Sequence, residues 1–347
     1  MASLISTVTH ADVNADASVK FDMYSQAVPL SQLMDNFQGD RVSEGEAAFS
    51  RFKAEIELEE KGVRFSIFAR EDHLYEFSNS TVDLIQMIEN EIAPQNNSEY
   101  NLYLKNSTFK SDGVGIGYDW ALSEHFTLKG MANYFLASQG RFGDISGYAA
   151  KSTSDYSLEL NGQYYDSEKV IDTYPVNTPD AEGYGVDLGF SYNPMDQLAI
   201  DFKASDLFSE INWSGINQIE LNRSSTKLLN PDGTIVRNNG ETNSTNQTYV
   251  DRIQTLPITY ELEVKYHPIE EVLLAVNWMR YGTEELSELA YTRYFGPLSI
   301  GFSYEIESEA VGIKYSNGWF DLELMTDSFS LEDTNRLGLY SSLSYKF

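Results

Sequence analysis

Apolar and polar residues alternate with a period of two along most of this chain. Phe52, Ala54, Ile56 and Leu58 alternate with Arg51, Lys53, Glu55 and Glu57. After Glu59-Glu60-Lys61-Gly62 the pattern resumes at Val63, Phe65, Ile67 and Ala69. It returns at Val114/Ile116/Tyr118/Trp120, at Tyr184/Val186/Leu188/Phe190/Tyr192, at Leu298/Ile300/Phe302/Tyr304 and at Leu337/Leu339/Ser341/Leu343/Tyr345/Phe347. Successive side chains of a strand point to opposite faces, so each segment is predicted as a strand with one apolar face. The segments run about 9–13 residues, the length a tilted strand needs to cross a bilayer. Strands are predicted at 17–26, 46–58, 62–76, 99–121, 125–139, 144–151, 155–166, 183–193, 197–212, 255–267, 271–281, 286–295, 297–305, 308–316, 318–327 and 336–347. That makes sixteen. Single-chain barrels favour even counts, and fourteen is the alternative. The 99–121 segment is long enough to be broken near Lys110–Gly113.

The connections fall into two classes. Glu59–Gly62, Leu122–His125, Asn193–Gln197, His267–Glu271, Gly296-Pro297 and Asn317-Gly318 are short. Residues 27–45, 77–98, 167–182 and 213–254 are long and polar, and the last has room for a hairpin between Ile216–Leu221 and Thr234–Arg237. Short turns on one rim and long loops on the other are the layout of a transmembrane barrel. Trp120, Tyr192, Tyr266, Phe295, Tyr315 and Phe347 each sit beside a short turn or the terminus, where an interfacial aromatic girdle belongs. Within 77–98, residues 81–92 place Leu84, Ile85, Met87, Ile88 and Ile92 on one helical face behind a cap at Ser80. This predicts a short helix capping the outer rim, with a loop folded into the pore mouth as the alternative.

On these residues the chain resembles the outer-membrane β-barrels of Gram-negative bacteria. Such proteins commonly end in an aromatic-alternating strand with a terminal Phe; here it is Leu337 to Phe347, with Tyr345 and Phe347 as the assembly signal. The resemblance implies an all-β, antiparallel up-and-down transmembrane barrel over residues 17–347, porin-like in outline and placed in the bacterial outer membrane. It also implies contact with outer-membrane lipids and lipopolysaccharide, and with the barrel-assembly machinery during biogenesis. Residues 1–16 read as an N-terminal tail or signal-peptide remnant, with small-residue patterns at Thr9-His10-Ala11 and Ala15-Asp16-Ala17.

Composition narrows the functions. The chain of 347 residues carries 24 basic and 53 acidic residues, a formal net charge of −29, which argues against nucleic acid as a partner. It has no cysteine, so disulfides, thiolate metal sites and cysteine nucleophiles are excluded. Only 41% of residues are hydrophobic, yet there are 23 Tyr and 19 Phe, as expected of strands apolar on one face. No calcium loop, nucleophile elbow, phosphate loop or dinucleotide fingerprint appears, so no metal, cofactor or enzymatic activity is expected. Of the four histidines, His73 near the outer rim is the one candidate base.

The polar face of the strands then lines the lumen. Lys20, Arg51, Lys53, Arg64 and Arg70 form a predicted basic wall, and Glu159, Asp187, Asp201, Glu261 and Glu263 an acidic one roughly opposite. Facing rows of opposite sign create a transverse field that screens passing solutes. Local pairing is the plainer alternative, and Lys203 and Lys265 within the acidic wall favour it. The expected function is a channel for small hydrophilic solutes or ions, cation-preferring because of the acidic excess. The alternative is a structural or partner-binding barrel in envelope assembly, secretion or adhesion. Deleting Phe347 should slow insertion, and cold gel electrophoresis should then show mainly the unfolded form of a heat-modifiable protein.

Overall fold

The structure, a computed structural model, describes residues 13–34, 39, 44–153, 155–168, 180–229, 235–330 and 332–347. The alternation is realised as sixteen strands in a single antiparallel sheet. They are β1 (Val13–Ser25), β2 (Ala47–Glu60), β3 (Val63–Phe77), β4 (Ser98–Ser123), β5 (Phe126–Lys151), β6 (Asp155–Asp166), β7 (Asp180–Met195) and β8 (Leu198–Leu229). Next come β9 (Ile235–Thr255), β10 (Thr259–Ile269), β11 (Val272–Tyr281), β12 (Glu284–Phe295), β13 (Leu298–Glu305), β14 (Val311–Ser316), β15 (Phe320–Thr326) and β16 (Arg336–Lys346). Among the described residues two helices, α1 (Leu30–Met34) and α2 (Asn79–Glu89), lie on the outer connections. β16 pairs with β1 from Asn14↔Lys346 to Tyr24↔Arg336, which closes the ring and leaves no edge to the hydrocarbon.

The wall has fourteen staves, because two descending paths are each split into two strands. β6 pairs with the outer half of β5 and of β8, while β7 pairs with their inner halves. In the same way β9 lies against outer β8 and β10 against inner β8. Outer β4, β5, β6, β8 and β9 therefore form a sheet that stands beyond the ring.

This redistributes the predicted strands. Residues 144–151 are not a separate strand but the outer end of β5, since the pairing with β4 runs on through Gly140 and Gly143 without a turn. Residues 235–255 form a strand inside the predicted long loop 213–254, the hairpin there being larger than expected; Thr234 lies outside the described residues. The first strand begins at Val13, while residues 1–12 and 169–179 also lie outside them. β4 runs unbroken, with a register shift at Lys110/Ser111 where a break was expected.

The short turns lie at the end where β1 begins and β16 finishes. Lys61 (φ 53°) and Gly62 (φ 83°) both adopt left-handed backbone, the type I′ geometry that matches the strand twist of a two-residue hairpin. All six girdle aromatics are 38–68% exposed at this rim. Between the rims an apolar belt faces outward: Ile56, Ile67, Ile116, Leu188, Val276, Phe302, Ile313 and Leu343 are all exposed. Towards the other rim, Tyr134 and Tyr184 donate to Glu182 (2.8 Å) and Glu210 (2.9 Å) on the outer surface. No helix among the described residues is long and apolar enough to cross a membrane.

α2 differs in two ways from its prediction. Its cap is Ser78, whose Oγ accepts from Thr81 N at 3.2 Å. It buries Thr81, Val82 and Gln86, leaving Ile88 and Ile92 of the expected inner face exposed. Val82 packs with Ala27, Val28, Ala48 and Phe77 at the outer rim.

The belt predicts an asymmetry between faces. Ile67→Arg or Leu188→Arg should cost about 2–4 kcal/mol near the bilayer midplane. Glu263→Gln, inside the lumen, should stay within about 0.5 kcal/mol. Urea unfolding midpoints in lipid vesicles will report both.

Candidate functional site

A fourteen-stave ring has room for a continuous water-filled lumen, but here the two walls touch. Counted around the ring, β10 is seven staves from β1, and β11 is seven from β2. Yet Lys20 Nζ on β1 donates to Glu261 Oε1 on β10 at 2.8 Å. The Arg51 guanidinium on β2 lies 4.5 Å from the ring centre of Tyr281 on β11. Phe49 and Tyr281 meet edge-to-face at 5.6 Å. These contacts run along a diameter and pinch the lumen.

Beside the pinch, Arg70 on β3 forms a bidentate pair with Asp206 on β8 (2.8 and 2.7 Å) and also holds Asp72 (2.6 and 3.0 Å). Asp72 and Asp206 are almost fully buried. β8 bulges to make this contact. Asp206 and Phe208 have positive φ, 63° and 55°, which throws Asp206 inward and leaves Phe208 80% exposed on the outer wall. On the other side of the pinch Arg336 forms a bidentate pair with Glu305 (2.6 and 3.0 Å) and bonds Asp22. Lys314 joins Glu288 (2.6 Å) and Glu323 (3.1 Å).

Above this ionic layer the lumen is packed with apolar side chains. Phe68, Phe109, Phe135, Tyr165, Ile211 and Trp213 form one buried cluster, and Tyr24, Phe49, Leu74, Tyr281 and Leu286 another. Trp213 Nε1 donates to Gln254, whose amide donates to Thr108 O from the far wall. Below the layer lies a cavity of about 530 Å³, and a smaller one of about 190 Å³ reaches up into the layer.

The predicted basic wall is brought together. Lys20, Lys53 and Arg64 line the larger cavity, and Arg51 and Arg70 sit in the constriction. Arg64 pairs with Asp119 (2.9 Å) and lies 3.6 Å from Glu57. Lys53 holds Glu55 at 2.7 Å and lies 5.1 Å over Phe68. Of the acidic wall, Asp187, Asp201, Glu261 and Glu263 line the larger cavity. Glu159 does not: it lies exposed on β6, in the sheet beyond the ring, because that strand belongs to an outer half-stave. The two walls meet directly at Lys20–Glu261, while Lys53–Glu55 and Lys265–Glu263 (2.5 Å) pair along their own strands.

Sequence reasoning missed Asp22, Asp72, Asp206, Glu305 and Arg336. Strand parity puts four of them inward: Asp22 is in step with Lys20, Asp72 with Arg70, Glu305 with Ser303, and Arg336 alternates with Leu337. Asp206 had no such signal, because the bulge reverses parity at that point. Tyr345 and Phe347 stack edge-to-face at 4.7 Å on the outer face, and Phe347 N donates to Val13 O. His73 points out of the wall against Glu71 at 3.0 Å. Among the described residues no cluster of His, Asp or Glu is arranged to hold a metal ion.

The closed ring, outward apolar belt and aromatic girdle define an outer-membrane β-barrel. No protein-family model matches the chain, and no curated protein does. Solved structures that overlap it include the Pseudomonas putida toluene transporter TodX, at 9% identity over 96% of this chain and 89% of that one, TM-score 0.45. The Ralstonia pickettii toluene transporter TbuX overlaps at 10% identity over 96% and 88%, TM-score 0.39. The Escherichia coli outer-membrane protease OmpT overlaps at 11% identity over 98% of each chain, TM-score 0.25. The assignment to a class rests on the ring and its belt, not on these overlaps.

Removing one partner from a buried pair strands the other charge. Arg70→Met should therefore cost about 3–5 kcal/mol. Arg70→Met with Asp206→Asn should cost clearly less than the sum of the two single changes, as read by a double-mutant cycle in urea.

Proposed function

We propose that this protein is an outer-membrane channel for small hydrophilic solutes or ions, with a preference for cations, and that the contacts across its lumen are the gate. The single observation that carries the reading is the diametric pinch. A barrel whose task is purely structural has no need of a wet cavity ending at a layer of ion pairs between opposite walls. Cation preference draws support from the lining of the larger cavity, where ten carboxylates face seven cations, and from the net charge of −29. Opening requires the Lys20–Glu261 and Arg51–Tyr281 contacts to part together with the packed cluster above them.

A second reading has an observation of its own. The β8–β9 ribbon extends from Glu210↔Thr255 to Leu229↔Ile235, far beyond the ring, and β9 pairs with β8 alone among the described strands. An open strand edge of this length favours a partner-binding barrel.

Recording in planar bilayers separates the two. Glu261→Gln should raise the open probability by releasing Lys20. Neutralising Glu261 and Glu263 together should shift selectivity toward anions, and neutralising Arg51 and Arg64 should shift it the other way. Cation preference should fade with salt as the Debye length falls from about 10 Å at 0.1 M to about 3 Å at 1 M. Silence in wild type and in Glu261→Gln would reject the channel and leave the partner reading.

A further inference from the structure

Nearly every cation inside the ring is matched by a carboxylate. Lys20, Lys53, Arg64, Arg70, Lys129, Lys265, Lys314 and Arg336 all have one within 4 Å. Lys203, on β8, is the exception: no carboxylate of the described residues lies within that distance of its ammonium. It is exposed to the lumen and lines both the 530 Å³ and the 190 Å³ cavity, so it stands at the neck between them. Asn133, on β5 two staves along the same wall, lines the same two cavities, and its amide bonds to no described residue. Glu261, Glu55 and Glu57 act on Lys203 through space from beyond that distance, each with a closer partner of its own in Lys20, Lys53 or Arg64, and Asp187 accepts from the Asp206 backbone N–H at 3.0 Å. Above the neck the smaller cavity is walled by the buried rings of Phe68 and Phe135.

We propose that the neck is a binding subsite for a small organic carboxylate, held by Lys203 and Asn133 with its apolar body against Phe68 and Phe135. This deepens the reading of the lumen as a solute pathway and rests on it. A carboxylate supplies what the site lacks: it accepts a charge-assisted bond from the free ammonium and a second bond from the free amide. Inorganic ions satisfy the ammonium but make no apolar contact with the cavity wall. An ammonium-bearing solute meets Lys203 as a like charge. Selectivity among small ions follows the acid excess of the whole lining, whereas retention at the neck follows the lumen cation that has no described carboxylate within 4 Å.

The test uses the full-length barrel in detergent micelles, with benzoate as probe in calorimetric titration. Benzyl alcohol and benzylammonium are the neutral and cationic comparisons. Benzoate should bind saturably, at least about tenfold tighter than either. Lys203→Gln should weaken it about tenfold, Lys203→Arg should hold it within about threefold, and Asn133→Leu should weaken it by a smaller factor. Heat-modifiable migration shows that each variant is folded. Equal binding of benzyl alcohol, unchanged affinity in folded Lys203→Gln, or no saturable benzoate binding to the wild-type barrel would each overturn the site. A barrel that conducts but does not bind benzoate loses the subsite alone. One that binds benzoate through Lys203 but never conducts keeps the subsite and loses the channel.

Discussion

The hydrogen-bonded seam between β1 and β16 fixes the address of every other side chain. Backbone polar groups left unpaired in hydrocarbon cost several kcal/mol each, so the sheet must close on itself before it is stable there. Closure sets the parity of all fourteen staves at once. Leucine, isoleucine and phenylalanine on one face then meet lipid, and lysine, arginine and the carboxylates on the other meet the lumen. A one-residue slip at the seam would exchange the two populations along the slipped strand, so the alternation itself holds the register.

The closed ring encloses contacts between its own opposite walls. Opposite walls meet through ion pairs, a cation–π contact and packed aromatic rings, so the lumen is filled as the interior of a smaller barrel would be. The two kinds of contact differ in energetic character. Arg70, Asp72 and Asp206 are dry, and each is tolerable only because the others are present. Lys20 and Glu261 are half-exposed to lumen water and are held together far more weakly. Of the polar contacts in the pinch, the wet pair is the one whose parting leaves no buried charge behind.

Much of this was legible in the chain. The period of two gave the strands, the sorting of short and long connections gave the two rims, and the six aromatics beside short turns lie where the girdle lies. Inward charge was readable wherever parity held, as at Lys20, Arg51, Arg70, Glu261 and Glu263. It was not readable where the backbone departs from the regular strand. The left-handed residues Asp206 and Phe208 carry no glycine to announce them, and Asp206 became a central member of the ionic layer. Length misled in another way: residues 126–151 form one strand rather than two, because nothing limits a strand once it has left the membrane. Glu159 was assigned to the lumen by its place in the count, when its strand belongs to the outer sheet.

The split staves carry a consequence for how such a chain can change. β5 pairs directly with β7, and β8 directly with β10, beneath the level at which β6 and β9 intervene. The ring in the membrane is thus hydrogen-bonded all the way round without the outer sheet. The outer sheet in turn grows from the ring at its broken paths, where the chain already leaves the wall. Selection can lengthen, shorten or reshape it without touching the register of the wall below. The molecule thus joins two parts under different constraints: a membrane ring whose register is tied at every stave, and an outer sheet whose length that register does not set.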